Sequence, residues 1–220
     1  ICKIRDIVKI AKKYNLKLIE DASEALGSFY FKKHAGTFGE IGVLSFNGNK
    51  IVTTGGGGAI LCKNRKLSEK IRHLSSTAKK KNTLKLTHDK QGFNFKLPNI
   101  NAAIGYHQLK KINYTLKKKR MLFNLYRSSF QGQKDFQVYK EKENRKSNYW
   151  LNFLILKNLK KEKISSIIRF FLQKKIEVRP GWTSMTKISF LKKYPRMSCP
   201  NAENAENIIL NLPSSPQLVK

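Results

Sequence analysis

Asp21 and Lys50 are the two side chains whose settings suggest shared chemistry. Asp21 follows the apolar run Leu16 to Ile19 and Glu20, so both acids fall at the C-terminal end of an expected strand, where open α/β sheets bind ligands. Two readings stand for Asp21: a helix cap or surface acid ahead of Ala22-Ser23-Glu24, or a carboxylate that keeps the ring nitrogen of a cofactor protonated. Lys50 is one of many lysines, but it stands just past the turn residues Asn47-Gly48-Asn49 and just ahead of Gly55 to Gly58. An amine that condenses with an aldehyde needs a rigid mount and must give up its proton, which a partly buried site favours. Ser45, five residues earlier, is either an ordinary strand-end serine or a hydroxyl donor to a phosphate. The glycine run lacks the Walker spacing and does not open a helix, so a structural bend is expected rather than a phosphate cradle.

The other reactive residue types point nowhere together. Cys2, Cys62 and Cys199 are isolated, which argues against a disulfide framework or a zinc site. His34, His73, His88 and His107 show no metal spacing and belong to no recognisable nucleophile set. Of these, only His88, beside Asp89 in a basic loop, is kept as a neighbour of substrate.

The elements that must hold Asp21 and Lys50 are legible from periodicity. Ile4, Ile7, Val8, Ala11 and Tyr14 form one face of a helix ending near Asn15. A strand is expected at Leu16 to Ile19, another at Ile41 to Phe46, then strand, glycine bend and strand across Ile51 to Thr54 and Ala59 to Cys62. Leu67, Ile71 and Leu74 suggest a short helix, residues 75 to 91 a polar loop, and Ala102 through Phe130 a long helix within which the domain changes. Strands at Tyr149 to Leu156 and Ile176 to Val178 flank a helix carrying Ile164, Ile167, Ile168, Phe171 and Leu172. A helix at Asn201 to Asn207 and a strand at Ile208 to Leu212 close the pattern. The reading is α/β in two domains, 1–115 and 116–220.

With 220 residues, 40% of them apolar, the chain can fill a real core. It opens on Ile1, directly in a helical pattern, so a preceding segment is expected. No apolar run approaches the roughly 18–20 residues that cross a bilayer, and no secretion signal is visible, so the expected compartment is the cytoplasm, with no membrane partner. The net charge of +31 admits a polyanion partner. The lysines are spread over every segment, however, with runs only at Lys79-Lys80-Lys81 and Lys117 to Arg120, and Asn and Ile are abundant too. Compositional drift therefore explains the charge better than a nucleic-acid ligand, although a phosphate-rich substrate would be drawn in by it.

Four ordered blocks resemble the DegT/StrS-type nucleotide-sugar aminotransferases over nearly the whole chain. They are residues 20–28 (Glu-Asp-Ala-Ser-Glu-Ala-Leu-Gly-Ser), 36–39 (Gly-Thr-Phe-Gly), 45–58 (Ser45 through Lys50 to Gly58) and 92–105 (Gly-Phe-Asn-Phe-Lys-Leu-Pro and the helix it opens). Val178-Arg179-Pro180-Gly181-Trp182 and Asn211-Leu212-Pro213-Ser214-Ser215 also fit. The resemblance implies part of an aspartate-aminotransferase-like, fold type I large domain followed by a small C-terminal α/β domain. It implies pyridoxal 5'-phosphate as cofactor, with Asp21 on the pyridine nitrogen, Glu24 beside the ring oxygen, Ser45 on the phosphate and Lys50 as the Schiff-base lysine. Asn94 would reach the cofactor phosphate of a second subunit in a homodimer with shared active sites. The partners implied are an amino-acid donor, glutamate by expectation, and a keto-sugar nucleotide used in surface or capsular sugar synthesis. Lysine at 50 separates the chain from the family's dehydratase branch, which carries histidine there. Lys96 replaces the usual arginine, forfeiting a bidentate contact. The family's N-terminal portion has no counterpart here, which leaves a non-catalytic remnant as the alternative, with a basic nucleic-acid binder behind it.

Overall fold

The computed structural model describes residues 1–80, 84–157 and 161–219. Lys81, from the first lysine run, lies outside the described residues. The chain divides into two compact units, Ile1–Leu116 with Lys142–Asn148, and Lys117–Glu141 with Tyr149–Lys220.

The first unit opens with α1 (Ile4–Lys13), which buries Ile4 and Ala11 and carries Asp6 in its first turn and Lys12 and Lys13 in its last, matching the helix dipole. Asn15 takes a left-handed φ of 51°. The Leu16 amide then returns to Ala11 O at 2.7 Å and that of Asn15 to Lys12 O at 3.2 Å, a Schellman stop. This cap uses up Leu16, so β1 is only Ile19–Asp21, shorter and later than the apolar run predicts. Next come β2 (Phe29–Tyr30), β3 (Lys33–His34), β4 (Ile41–Ser45) and β5 (Gly58–Cys62). β4 lies between β1, parallel to it with Asp21 opposite Val43, and β5, antiparallel with Ser45 opposite Gly58. The strand expected at Ile51 to Thr54 is absent: the Thr54 amide turns back to Phe46 O and that of Thr53 to the Gln108 side chain, leaving no ladder. Gly42 permits the crowding of this sheet, because a Cβ there would sit 1.9 Å from Gly36 O.

α2 (Arg65–Ser75) starts on Asn64, whose side chain accepts from Leu67 N at 2.9 Å. α3 (Asn99–Lys110) and α4 (Ile112–Ser129) replace the single long helix, with a break at Lys111. The polar stretch between α2 and α3 holds two isolated bridges, Ser76 to Asn94 and Lys79 to His88.

The second unit takes most of α4 and adds β6 (Phe136–Val138). The chain then returns to the first unit for β7 (Arg145–Lys146), which pairs with β2 and completes the small sheet β3-β2-β7. The second unit resumes with β8 (Asn152–Leu156), α5 (Lys161–Gln173), β9 (Arg179–Pro180), α6 (Pro200–Ile208) and β10 (Ile209–Leu212). Its sheet runs β6-β8-β10-β9. Ile176 to Val178 is no strand, for the reason seen at Leu16: Lys175 is left-handed at 59° and the Ile176 amide closes α5 on Phe171 O. Phe123, Val138, Tyr149, Leu154, Leu156, Ile164, Val178, Leu210 and Leu212 form one continuous core here. Lys119 is buried in this unit and donates to Trp150 O at 2.6 Å and to Ser214 O. Burial pushes its ammonium down to about 8.

Candidate active site

Asp21 ends β1 and Ser45 ends β4. Because these strands are parallel and Asp21 faces Val43, Ser45 lies two residues farther along the same edge, roughly 7 Å on. The polar residues of the sequence motif therefore gather at the C-terminal edge of the parallel pair, wholly within the first unit.

Lys50 is mounted on a loop that leaves β4 and returns to β5. Its own amide closes the turn onto Asn47 O at 3.0 Å, and the Thr54 amide reaches Phe46 O at 2.9 Å. Thr53 Oγ1 also donates to Phe46 O, at 3.1 Å. Helix α3 clasps the loop from outside: Gln108 accepts from Thr53 N at 3.0 Å, Asn101 donates to Thr54 O at 2.6 Å, and a Cβ on Gly105 would meet Thr54 Cγ2 at 2.7 Å. Gly55 and Gly57, at φ 79° and 85°, take left-handed turns open to glycine at little cost, so the glycine run is the expected bend. Val52 and Thr54 are each 1% exposed, which fixes the loop's inner side.

From this mount the Lys50 side chain, 11% exposed, places Nζ against Glu24 Oε1, whose side chain is 46% exposed. Asp21 feels the same cation. Its carboxyl is held below the ordinary carboxylate value of 3.8, chiefly by the Ser23 hydroxyl at 2.5 Å and then by the Ser23 amide at 3.2 Å; burial opposes them, and the Lys50 charge adds the smallest contribution, a further lowering. Asp21 is thus a secure anion at neutral pH. Ser45 Oγ accepts from Asn47 N at 3.3 Å. The set comprises a carboxylate fixed in its ionised state, an amine on a rigid loop and a hydroxyl at the neighbouring strand end. That is the donor chemistry pyridoxal phosphate requires of its pyridine nitrogen, aldehyde and phosphate partners, so the residues fit the cofactor.

Three supporting residues escape sequence reasoning. Glu20 turns its carboxylate onto three backbone amides, Gly36 at 2.7 Å, Phe38 at 2.5 Å and Gly39 at 2.6 Å, and so ties the 36–39 loop to β1. His34 accepts from Gly27 N at 2.9 Å through Nε2 while Nδ1 lies 2.5 Å from Ala35 O, the pattern of a neutral ring with its proton on Nδ1. Asn148, on the returning segment, donates to Glu24 O at 2.7 Å and Leu26 O at 3.0 Å, and its amide reaches Ser28 Oγ at 3.0 Å. It pins the loop bearing Glu24. An acid next to Asp21 gave Glu20 a place but no role, and a lone asparagine some 120 positions away gave no signal at all.

Asn94 is exposed and bridged to Ser76; among the described residues no hydrogen bond joins it to Asp21, Glu24, Ser45 or Lys50. His88 uses Nδ1 on Thr77 O at 2.7 Å, and Asp89 pairs instead with His73 Nε2 at 2.6 Å, so this histidine and acid shape their own loop. The three cysteines are free, and the described residues contain no group of acids, histidines and cysteines able to hold a metal.

The model of the DegT/DnrJ/EryC1/StrS aminotransferase family matches residues 1–220. The chain belongs to that family. Its members are pyridoxal-phosphate-dependent aminotransferases. Among curated family relatives, the chain is 36% identical over 180 residues to EpsN of Bacillus subtilis, covering 82% of this chain and 46% of that protein. It is 33% identical to the GDP-perosamine synthase of Escherichia coli O157:H7, over 99% of this chain and 58% of that one. A UDP-4-amino-4,6-dideoxy-N-acetyl-beta-L-altrosamine transaminase of Campylobacter jejuni is 31% identical over 97% and 57%. The chain therefore spans about half to three fifths of these relatives. Among solved structures, Helicobacter pylori PseC, an aminotransferase involved in the biosynthesis of pseudoaminic acid, superposes with a TM-score of 0.91 at 24% identity, over 99% of this chain and 59% of that one. TlmJ of Streptoalloteichus hindustanus does so at 0.91 and 20%, over 100% and 59%. These likenesses establish the fold as that of the sugar aminotransferases.

Proposed function

We propose that this chain carries the cofactor lysine of an enzyme that moves an amino group from an amino acid, glutamate by preference, to a keto-sugar nucleotide, for lipopolysaccharide or capsular sugar synthesis in the cytoplasm. The observation that carries this reading is the placement of the Lys50 amine against Glu24 and within the field of an ionised Asp21 at the edge of parallel strands. The relatives' names, which speak of GDP- and UDP-linked amino sugars, support the substrate class.

Pyridoxal phosphate, when bound, supplies the electron sink that stabilises negative charge at the substrate carbon. Asp21 would hold the pyridine nitrogen in its protonated form, a task for which the two Ser23 hydrogen bonds keep it charged. Ser45 would donate its hydroxyl to the phosphate. Lys50 would hold the cofactor covalently and, once released by the incoming amine, act at Nζ as the base and then the acid for the proton that changes carbon. Glu24 Oε1, already in contact with that nitrogen, would orient it and receive its charge. Asn94, exposed and, among the described residues, hydrogen-bonded to none of this group, is assigned to the phosphate of a second subunit in a homodimer.

The test is borohydride reduction of the chain after incubation with pyridoxal phosphate, followed by peptide mass mapping. The expected result is one cofactor mass on the Lys50 peptide and none in Lys50→Ala. A label spread over many lysines, or one unaffected by that substitution, ends the reading.

A further inference from the structure

A second site lies in the first unit and shares no lining residue with the Lys50 mount. It is a cavity of about 660 Å³ bordered by Arg5 of α1, by Phe29, Phe31 and Lys32 of the β2–β3 hairpin, and by Arg145 and Lys146 of β7. Four cations and no acid border it, and among the described residues none of the four forms an ion pair.

Both arginines are held in place by uncharged partners. The Arg5 guanidinium lies 3.8 Å from the centre of the Phe31 ring and 5.9 Å from that of Tyr30. Arg145 lies 5.1 Å from the Tyr30 ring and donates through Nε to Ile1 O at 2.8 Å and through a terminal nitrogen to Glu143 O at 3.4 Å. Neither carbonyl cancels its charge. The next lysine, Lys33, has its pKa lowered by burial first and then by the charges of Lys63 and Arg5, although Glu20 opposes this. Cations are crowded around this hairpin.

The backbone is also shaped for the site. Phe29 pairs with His34 and Tyr30 with Lys33, so Phe31-Lys32 is a two-residue hairpin turn, and both residues are left-handed, at φ 46° and 64°. Such a turn ordinarily takes Asn-Gly. A phenylalanine and a lysine held there are strained, and Phe31 N donates to the carbonyl of the left-handed Asn144 at 2.8 Å. What the strain secures is an aromatic ring and a cation on the cavity rim.

We propose that this cavity binds a nucleoside diphosphate. The four cations answer a diphosphate, arginine being suited to bidentate contact with phosphate oxygens. A cavity of this volume is of the size that takes a drug-sized ligand rather than a single anion, and Phe29 and Phe31 give it apolar walls for a base. The site gives the scattered positive charge of the chain one local use, and it stands whether or not Lys50 carries a cofactor.

The probe is uridine diphosphate, titrated calorimetrically into the full chain, with uridine and inorganic pyrophosphate as its separated halves. Saturable binding of the diphosphate is expected, with weaker binding of pyrophosphate and none of uridine. Arg145→Gln and Arg5→Gln should each weaken it about tenfold or more, while Lys9→Gln and Lys12→Gln on α1 change it little. Lys32→Gly separates binding from folding: glycine relieves the left-handed turn, so the melting temperature should hold or rise while affinity falls. Lys50→Ala should retain the affinity. The proposal is overturned by absence of saturable binding, by pyrophosphate binding as tightly as the nucleotide, or by equal losses in the Lys9 and Lys12 variants. It is equally overturned if Lys50→Ala abolishes binding and the arginine variants do not, which would place the nucleotide at the candidate active site instead.

Discussion

The two units solve the problem of holding still in different ways. The second buries a continuous set of large side chains, with Leu210 at 0%, Leu154 and Leu156 at 2%, and Phe123 stacked on Tyr149. In the first, the buried apolar residues among those described are Ile4, Ala11, Ala22, Ala35, Leu44, Val52 and Ala78, and four of these seven are alanines. Ile10, Leu16, Ile19, Ile60 and Ile100 of the same unit are each more than half exposed. Order there comes from hydrogen bonds, through Glu20, His34, Asn101, Gln108 and Asn148. The unit that carries the candidate chemistry is organised by polar clasps, and the unit without it by packing.

This contrast can be broken by experiment. Leu210→Ala should cost the second unit about 4 kcal/mol, the range for emptying a fully buried leucine site. Both tryptophans, Trp150 and Trp182, lie in that unit, so intrinsic fluorescence during denaturation reads it selectively. Glu20→Ala should cost the first unit about 3 kcal/mol by stranding three amides, seen as faster hydrogen exchange at Gly36, Phe38 and Gly39 with the tryptophan transition unmoved. Leu44→Ala in the first unit should cost only about 2 kcal/mol, the low end for a buried leucine, in a unit whose buried apolar residues are mostly alanines. A loss equal to that of Leu210→Ala would mean that the first unit has a true apolar core and that the contrast is false.

Lys119 sharpens the comparison by its sign. Its folded pKa, about 8, lies below the ordinary lysine value of 10.5, so between these values the unfolded chain binds the proton and the folded chain does not. Stability of the second unit should therefore rise, by about 2 kcal/mol between pH 8 and 9.5, and Lys119→Met should flatten that slope. Burial raises the Tyr126 and Tyr149 hydroxyls, so their opposing loss of stability enters only above their ordinary value of 10.0. The smallest effect belongs to the first unit: Ser23→Ala should let the Asp21 pKa climb back toward 3.8, followed by carboxyl NMR titration, with little change in stability.

Periodicity made the packed elements legible. The helices α1 and α5 have apolar residues at the spacing of one face, and the strands β4, β8 and β10 are short apolar runs, so their existence follows from side chains alone. What periodicity hides is set by backbone bonds to distant partners. Leu16 and Ile176 look like strand starts and are helix stops, because an asparagine and a lysine adopt left-handed backbone ahead of them. The two-residue strand β7 exists through pairing of residues 145–146 with 29–30, a link no local window contains. The same division runs through the candidate site. Asp21, Ser45 and Lys50 stood out by type and setting and Glu24 through the family resemblance, whereas Glu20, His34 and Asn148, which tie the surrounding loops, have only their hydrogen bonds to distinguish them.

The returning segment Lys142–Asn148 has a practical consequence for anyone dissecting the molecule. Since the chain crosses between the units at 116, at 141 and again at 148, no single cut releases the first unit whole. A fragment ending at Leu116 would lack β7 and Asn148, leaving β2 with a bare edge and the Glu24 loop untethered. Limited proteolysis at one bond should yield pieces that stay associated, and a separately expressed first unit needs residues 142–148 grafted back by a short linker.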